Sequence, residues 1–270
     1  ARYTKSIDQE LIEYLHEFKE HIAPNREINL NLEGFKDVYP INDHINFINV
    51  TSYDAQSQLQ AQDVLEILKQ GNERFLYEED IHRSNLMNVK FTAKTQHPIA
   101  CVLGCIDSRV PVETIFDMTL GDLFCARVAG NIINDDILAS IEYACHVVGA
   151  KLIVVLGHSS CGAIQAACNH VKKGHITGLL EKITPAINAE QHIQDQRDGS
   201  NIEFVTEVTK LNIAHSMLEI YERSSILRGM LDTKQIGIIG GIYDVATGAV
   251  HFSDFSKELL RFGQARLPSF

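Results

Sequence analysis

No segment of this 270-residue sequence reaches the run of about 18 consecutive apolar residues that a membrane-spanning helix needs. Lys and Arg form no cluster, and 24 of them stand against 35 Asp and Glu, which gives a net charge of -11. This charge balance argues against a nucleic acid or an anionic membrane surface as partner. Repeats and low-complexity segments are also absent, and 45% of the residues are hydrophobic, so the chain should fold into globular structure.

The cysteines are too scattered to form the disulfide framework of a small secreted protein. All six lie between residues 101 and 168, mostly inside apolar runs, where a reduced thiol behaves as a small hydrophobic group. This usage predicts a reducing compartment, the cytoplasm. Cys105 has no companion in its own loop at the spacing of a closed zinc finger, because Cys101 lies on the preceding strand.

Short apolar runs alternate with helical patterns from residue 99 onward. The predicted strands are residues 99–104, 123–128, 152–156 and 236–239, and residues 137–148 and 163–171 carry helical periodicity. The strands are continuously apolar, which indicates burial on both faces. The sequence therefore predicts an α/β fold with a mostly parallel β-sheet flanked by helices.

Three residues of the type that binds zinc follow two of the predicted strands. Cys105 comes directly after the first strand, and His158 and Cys161 follow the third. Ligands of parallel sheets bind beyond the carboxyl ends of the strands, so these side chains should share one crevice. Three protein ligands leave a catalytic zinc one open position. The alternative interpretation is a core thiol, a loop histidine and a helix-capping cysteine.

The sequences CIDSR at residues 105–109 and GHSSCG at residues 157–162 resemble the paired signatures of the β-class carbonic anhydrases. The sequences GDLFCARVAGN at 121–131, IEYA at 141–144 and GGIYDVATG at 240–248 fit the same family. The resemblance covers approximately residues 60 to 255. It implies a zinc enzyme, with one Zn²⁺ per chain held by Cys105, His158 and Cys161, that reversibly hydrates CO₂ to bicarbonate and a proton by attack of zinc hydroxide.

Two charged residues next to Cys105 are the catalytic candidates that the resemblance implies. Asp107 should accept a hydrogen bond from the zinc-bound water, and Arg109 should hold the Asp107 carboxylate in a fork and keep it ionised. In the family the equivalent Asp can also ligate zinc and close the site, and the sequence leaves both states open. A plain structural ion pair is the alternative for these two residues.

The resemblance also implies substrate-binding residues and an assembly. By motif position, Gln96, Phe124, Ala129 and Tyr143 should line the CO₂ pocket, and Gly162 should let the backbone approach bicarbonate. Without the resemblance, Phe124 and Tyr143 would be assigned to the core. The sequence VAGN at residues 128–131 departs from the form that is commonest in the family. Family members are built from dimers in which one subunit's Gln and Phe face the other's zinc, so we expect a homodimer or higher oligomer.

Two other functions are compatible with this fold. One is hydrolysis of a CO₂ analogue, carbonyl sulfide or carbon disulfide, which differs in pocket access and not in the metal ligands. The other is a non-catalytic zinc module that senses bicarbonate. The presence of both Asp107 and Arg109 argues against the second, because a purely structural zinc has no use for the pair.

The sequence predicts a domain boundary near residue 57, with an N-terminal extension and linker at 1–57 and the catalytic domain at 58–270. The extension has a helical pattern at 6–22 and an alternating strand pattern at 27–33, residues 51–60 read as a linker, and residues 61–75 predict a helical arm. More weakly, the extension resembles the end of a STAS domain of SulP-type anion transporters. This similarity predicts a covalent link to an upstream membrane transporter, at the cytoplasmic face of the inner membrane. An ordinary N-terminal extension is the alternative.

Overall fold

The structure, a computed structural model, describes residues 51–78 and 85–270. In these residues one five-stranded sheet has the order β2-β1-β3-β4-β5. The strands are β1 Ala100–Gly104, β2 Leu123–Arg127, β3 Leu152–His158, β4 Gly237–Tyr243 and β5 Val250–Ser253. The first four strands are mutually parallel, and β5 pairs antiparallel with β4. The predicted class, an α/β fold with a mostly parallel sheet, is confirmed.

Eleven α-helices surround this sheet in the described part of the chain. They are α1 Tyr53–Gln58, α2 Ala61–Leu76, α3 Asn85–Thr92, α4 Val112–Ile115, α5 Asp135–Glu142, α6 Gly162–Cys168, α7 Gly174–Glu181, α8 Thr184–Ala189, α9 Ile202–Arg223, α10 Ser225–Asp232 and α11 Ser256–Leu259. Short 3₁₀ turns lie at Ala129–Asn131 and Leu260–Phe262. None of these helices is long and apolar enough to cross a membrane.

The central strands are buried as predicted, but the edge strand β2 is not. Every residue of β1 and β3 is buried, because helices cover both faces of the sheet there. In β2 the first four residues are only half-buried and Arg127 is exposed. The prediction of burial on both faces is therefore wrong for β2, which lies at the edge of the sheet that the described residues form.

The segment predicted as a linker at residues 51–60 packs against the domain. It forms the helix α1, and the side chain of Gln56 is buried. Gln56 Nε2 donates to the Pro98 carbonyl at 2.8 Å and to the Val148 carbonyl at 3.2 Å. The linker prediction is wrong because this segment is helical and its buried Gln56 side chain satisfies backbone carbonyls at the amino end of the sheet. The patterns at 6–22 and 27–33 lie outside the described residues, and the domain boundary near residue 57 stays a prediction.

The predicted helix at residues 137–148 changes its winding midway. It is α-helical to Glu142 and continues as a π-helical turn over Tyr143–Val147, where the Val148 N–H bonds to the Tyr143 carbonyl at 3.1 Å. Such wide turns are rare and often lie at functional sites. Here the turn leaves the Tyr143 side chain exposed beside β2.

The long helix α9 crosses the sheet closely because glycines face it. A Cβ on Gly157 would lie 2.7 Å from Ile213 Cδ1, and one on Gly240 would lie 2.7 Å from Ile213 Cγ2. Both distances are shorter than real side chains allow, so glycine is needed at these two positions. The close packing brings the buried face of α9 near the carboxyl end of β3, where Gly157 precedes His158.

Candidate metal centre

The carboxyl ends of β1 and β3 bring three metal-binding side chains together. Cys105 directly follows β1, His158 is the last residue of β3, and Cys161 is the N-cap of α6. One donor atom from each lies within 4.8 Å of the other two, and all three residues are buried. Elsewhere in residues 51–78 and 85–270, no other His, Cys, Asp and Glu residues form such a cluster.

The imidazole of His158 is prepared to act as a ligand through Nε2. Its Nδ1 lies 2.9 Å from the Ser159 carbonyl oxygen, so Nδ1 carries the proton and Nε2 has a free lone pair. Nε2 is buried and has no hydrogen-bond partner. A buried polar atom without a partner is unfavourable, and a cation between the three side chains would satisfy it.

The two thiols share a proton. A hydrogen bond from Cys161 holds the pKa of the Cys105 thiol well below its ordinary value, and the Gly130 N–H, which lies 3.4 Å from Cys105 Sγ, acts in the same direction. The same hydrogen bond, together with burial, raises the pKa of Cys161. A divalent cation would replace the shared proton and neutralise two thiolates. Sulfur and imidazole nitrogen are donors that zinc prefers. Three such donors would fill three of the four positions around a tetrahedral zinc and leave the fourth open.

Asp107 lies beside this cluster in a two-pronged ion pair with Arg109. Asp107 Oδ1 accepts from the Arg109 backbone N–H and from Nε, both at 2.9 Å, and Oδ2 accepts from Nη2 at 2.8 Å. These hydrogen bonds hold the pKa of the Asp107 carboxyl well below its ordinary range. Asp107 Oδ2 lies 4.0 Å from His158 Nε2. The carboxylate is thus held by Arg109 at the edge of the cluster and is not one of its three donors.

Two arrangements that the sequence analysis missed support the ligand loops. Arg127, at the end of β2, donates from Nε to the Cys105 carbonyl at 2.8 Å and from Nη2 to the Asp107 carbonyl at 2.7 Å. On the other side, Ser159 Oγ donates to Asp244 Oδ1 at 3.0 Å. The available signal for Arg127 was its place at the end of β2, where it pairs in register with Gly104, the residue before Cys105.

The turn beside Cys105 contains a glycine that no other residue replaces easily. Gly130 has a φ of 69°, and a Cβ there would lie 3.0 Å from Ile183 Cδ1 and 3.3 Å from Ala163 Cβ. We expect Gly130→Ala to lower the free energy of unfolding by about 1–3 kcal/mol, because alanine is strained in the left-handed region. Thermal or urea unfolding measures this loss.

Gly178→Ala is the matched control for that prediction. Gly178 lies inside α7 with open space around the position of a Cβ, so alanine should stabilise the helix by about 0.5–1 kcal/mol. Equal unfolding free energies for Gly130→Ala and the unsubstituted protein would contradict the strained turn.

The predicted substrate-pocket residues lie at different distances from the cluster. Ala129 adjoins Gly130, and Gly162 begins α6 with open space beside it. Phe124 pairs in register with Cys101, four residues before Cys105, which places Phe124 roughly 13 Å along the strand from Cys105. Gln96 precedes the amino end of β1 and is exposed. Gln96 and Phe124 therefore do not lie beside the cluster of Cys105, His158 and Cys161 in the same chain.

Phe124 and Tyr143 form part of a separate cavity of about 420 Å³. Their ring centroids are 6.2 Å apart in an edge-to-face arrangement. The cavity is also lined by Cys101, Cys125, Ala126, Ile137, Ala139 and Ser140. Three of these lining residues belong to the edge strand β2, whose first four residues are half-buried.

Comparison with known proteins identifies the family. Residues 100–250 match the family model described as carbonic anhydrase. Carbonic anhydrase 2 of Mycobacterium tuberculosis is 35% identical over 193 residues, which cover 69% of this chain and 90% of that protein. A carbonic anhydrase of Mycolicibacterium smegmatis is also 35% identical, over 200 residues that cover 70% of this chain and 94% of that protein.

The fold agrees with solved β-carbonic anhydrases. A tetrameric enzyme from Sordaria macrospora superposes with a TM-score of 0.55 at 24% identity, covering 71% of this chain and 96% of that one. At this identity the superposition establishes the fold alone. Taken with the family match over residues 100–250 and the Cys-His-Cys cluster, it shows that the chain belongs to the β-class carbonic anhydrases, which are zinc enzymes.

Proposed function

We propose that Cys105, His158 and Cys161 hold one Zn²⁺ and that the chain reversibly hydrates CO₂ to bicarbonate and a proton. The observation that supports these roles best is the buried Nε2 of His158, which has no partner of its own beside two thiols that share a proton. When bound, zinc supplies a water molecule acidic enough to act as hydroxide near neutral pH.

Asp107 orients the attacking oxygen. An ionised carboxylate only accepts hydrogen bonds, so a water or hydroxide beside Oδ2 must donate its O–H to Asp107. This hydrogen bond directs a lone pair of the oxygen away from the carboxylate and toward CO₂. Arg109 keeps Asp107 ionised and fixes its plane, since both carboxylate oxygens accept from the guanidinium.

Arg127 and Ser159 hold the two ligand loops in place. Arg127 binds the carbonyls on either side of Ile106, which fixes the path from Cys105 to Asp107. The Ser159 carbonyl keeps the proton of His158 on Nδ1. The carboxylate and the ligand set are therefore positioned before substrate arrives, which lowers the cost of organising the reaction.

Stopped-flow CO₂ hydration and metal analysis on the same sample test the proposal. Activity together with about one zinc per chain supports the assignment. Full zinc occupancy without turnover would favour the bicarbonate-sensing alternative. Turnover of carbonyl sulfide or carbon disulfide without CO₂ hydration would favour the hydrolase alternative.

We propose further that two chains assemble into a dimer in which each completes the other's site. Gln96 and Phe124 lie toward the opposite end of β1 from the ligands of their own chain, so only another chain can present them there. The edge strand β2 offers the face for this contact, because its residues are half-buried and Tyr143 is exposed next to them. Apolar side chains exposed together at a sheet edge favour association.

A mixed dimer tests the shared site directly. One subunit carries Asp107→Ala, and the other carries both Gln96→Ala and Phe124→Ala. Two different affinity tags purify the mixed dimer. One of its two sites then has all native residues, so we expect about half of the native activity, whereas each parent homodimer should be nearly inactive.

Two results would contradict the shared site. One is a mixed dimer no more active than its parents. The other is an active monomer at micromolar concentration in analytical ultracentrifugation.

The reduced, scattered cysteines support a cytoplasmic location. A link to an upstream anion transporter is supported by the similarity of residues 6–22 and 27–33 to the end of a STAS domain. These N-terminal residues lie outside the described part of the structure. A tethered enzyme would convert bicarbonate where its local concentration is highest. The complete reading frame tests the link, since an initiator codon directly before Ala1 with no upstream membrane spans would end this proposal.

A further inference from the structure

Two buried polar residues of α9 bind the turn beside Cys105. Asn212 Nδ2 donates to the Gly130 carbonyl at 2.8 Å, and Ser216 Oγ donates to the Asn131 carbonyl at 3.0 Å. Both side chains belong to residues that are 1% exposed. They are four positions apart, so they lie on one side of the helix and reach two consecutive carbonyls.

The turn that they bind is in an unfavourable conformation. Gly130 and Asn131 have φ values of 69° and 42°, both in the left-handed region, and Asn131 has a Cβ that disfavours it. Within the turn, the Asn131 N–H bonds to the Val128 carbonyl at 2.9 Å. A turn of this kind persists when surrounding groups hold it, and here α9 supplies two such groups.

The conformation of this turn aims a backbone donor at the ligand sulfur. The Gly130 N–H donates to Cys105 Sγ at 3.4 Å. The Gly130 carbonyl therefore accepts a hydrogen bond from α9, while the Gly130 N–H donates one to the Cys105 sulfur. A shift of the Gly130 carbonyl would also shift the Gly130 N–H, because the hydrogen bond from the Asn131 N–H to the Val128 carbonyl closes the turn and restricts rotation about the Cα between them.

We propose that Asn212 and Ser216 are positioning residues of the metal centre, which hold the Gly130 N–H against the Cys105 sulfur. The inference rests on the proposed role of Cys105 as a zinc ligand. Two thiolates donate more charge to zinc than imidazoles do, which makes a bound water less acidic. A hydrogen bond to the sulfur withdraws part of that charge, so the two α9 side chains tune the metal centre without touching it.

If Asn212 and Ser216 had a purely structural role, replacing them would change the stability of the protein and not the properties of the metal centre. Buried polar residues on a helix commonly bond to their own helix, as Thr209 does when its Oγ1 donates to the Val205 carbonyl at 2.8 Å. Losing such a bond changes stability but leaves the Cys105 sulfur unaffected. Thr209 is buried on the same helix, one turn before Asn212, so Thr209→Val is a matched control.

The test compares Asn212→Leu and Ser216→Ala with Thr209→Val. Competition against a chromophoric chelator measures zinc affinity, and Co²⁺ substitution gives a thiolate-to-metal charge-transfer band. We expect affinity to fall about tenfold in the first two variants, as is typical for outer-shell partners of metal ligands. Their charge-transfer band should move to lower energy, because a thiolate without its hydrogen bond donates electrons more easily. Thr209→Val should change neither quantity.

Unchanged zinc affinity and an unchanged band in both variants would overturn the inference, even with lower thermal stability. If Asn212→Leu does not fold, Ser216→Ala still decides the question, because it removes only one hydroxyl group. Failure of the proposed function is a separate result: the unsubstituted protein would then lack zinc or fail to hydrate CO₂. If the unsubstituted protein binds zinc and hydrates CO₂, but both variants match Thr209→Val in zinc affinity and in the charge-transfer band, only the positioning role is contradicted.

Discussion

Cys105→Ser, His158→Ala and Cys161→Ser should each abolish zinc binding and lower the rate of CO₂ hydration by about a thousandfold or more. In the proposed site only Cys105, His158 and Cys161 hold the metal, so losing any one of them leaves two protein ligands. A thousandfold loss corresponds to about 4 kcal/mol of transition-state stabilisation, which is in the range that a Lewis-acidic metal supplies. Metal analysis after gel filtration and stopped-flow hydration assays measure the two losses.

Cys168→Ser separates ligand loss from the general effect of a buried hydroxyl. Cys168 is as buried as Cys161 and lies at the other end of α6, outside the ligand cluster. We expect this control to lose some stability but to keep its zinc and its activity. Retention of stoichiometric zinc in Cys105→Ser or Cys161→Ser would exclude that residue as a ligand.

The position of the ligand cluster followed from the strand pattern because parallel strands end at a common edge. Continuous apolar runs identified β1 and β3. Cys105 directly follows β1 and His158 ends β3, so the two side chains could only meet at that edge of the sheet. Adjacent pairing of the two strands, with Cys101 opposite Ile153, then fixed their separation. The local sequence pattern was sufficient to predict the cluster, because the direction and order of the strands determine where Cys105 and His158 lie relative to each other.

Other features depend on contacts that a local pattern does not contain. The apolar character of β2 predicted complete burial, but burial also depends on neighbours, and among the described residues β2 has a strand on only one side. Gln56 appeared as part of a polar linker because its partners, the carbonyls of Pro98 and Val148, are distant in sequence. A buried polar side chain and an exposed one look alike when their partners are unknown.

The residues that support the site were missed for the same reason. Asn212 and Ser216 interrupt the buried, apolar face of α9, and that interruption was the available signal. Their partners lie 82 and 85 residues earlier in the chain. The state of Asp107 was also open in the sequence, since both zinc ligation and pairing with Arg109 fit the same motif. In the structure Arg109 binds both carboxylate oxygens.

Asp107→Ala and Arg109→Ala should keep zinc bound and lower the rate of CO₂ hydration by about a hundredfold. Neither residue is among the three ligands, so metal content should stay near one per chain. Asp107→Ala removes the acceptor that orients the attacking oxygen. Arg109→Ala leaves the carboxylate without its fork, and because Oδ2 already lies 4.0 Å from His158 Nε2, Asp107 is then free to turn toward the metal. Arg109→Ala should therefore retain zinc at least as tightly as the unsubstituted protein.

The double variant tests whether the two residues act as one unit. If Arg109 works only through Asp107, the double variant should be no slower than Asp107→Ala, because removing a second member of one unit adds little. Arg223→Ala is the control for a lost arginine, since Arg223 pairs with Asp135 and Glu219 away from the site, and its activity should be unchanged. Rate losses that multiply in the double variant would show independent roles, and loss of zinc in either single variant would contradict the assignment of Asp107 and Arg109 outside the ligand set.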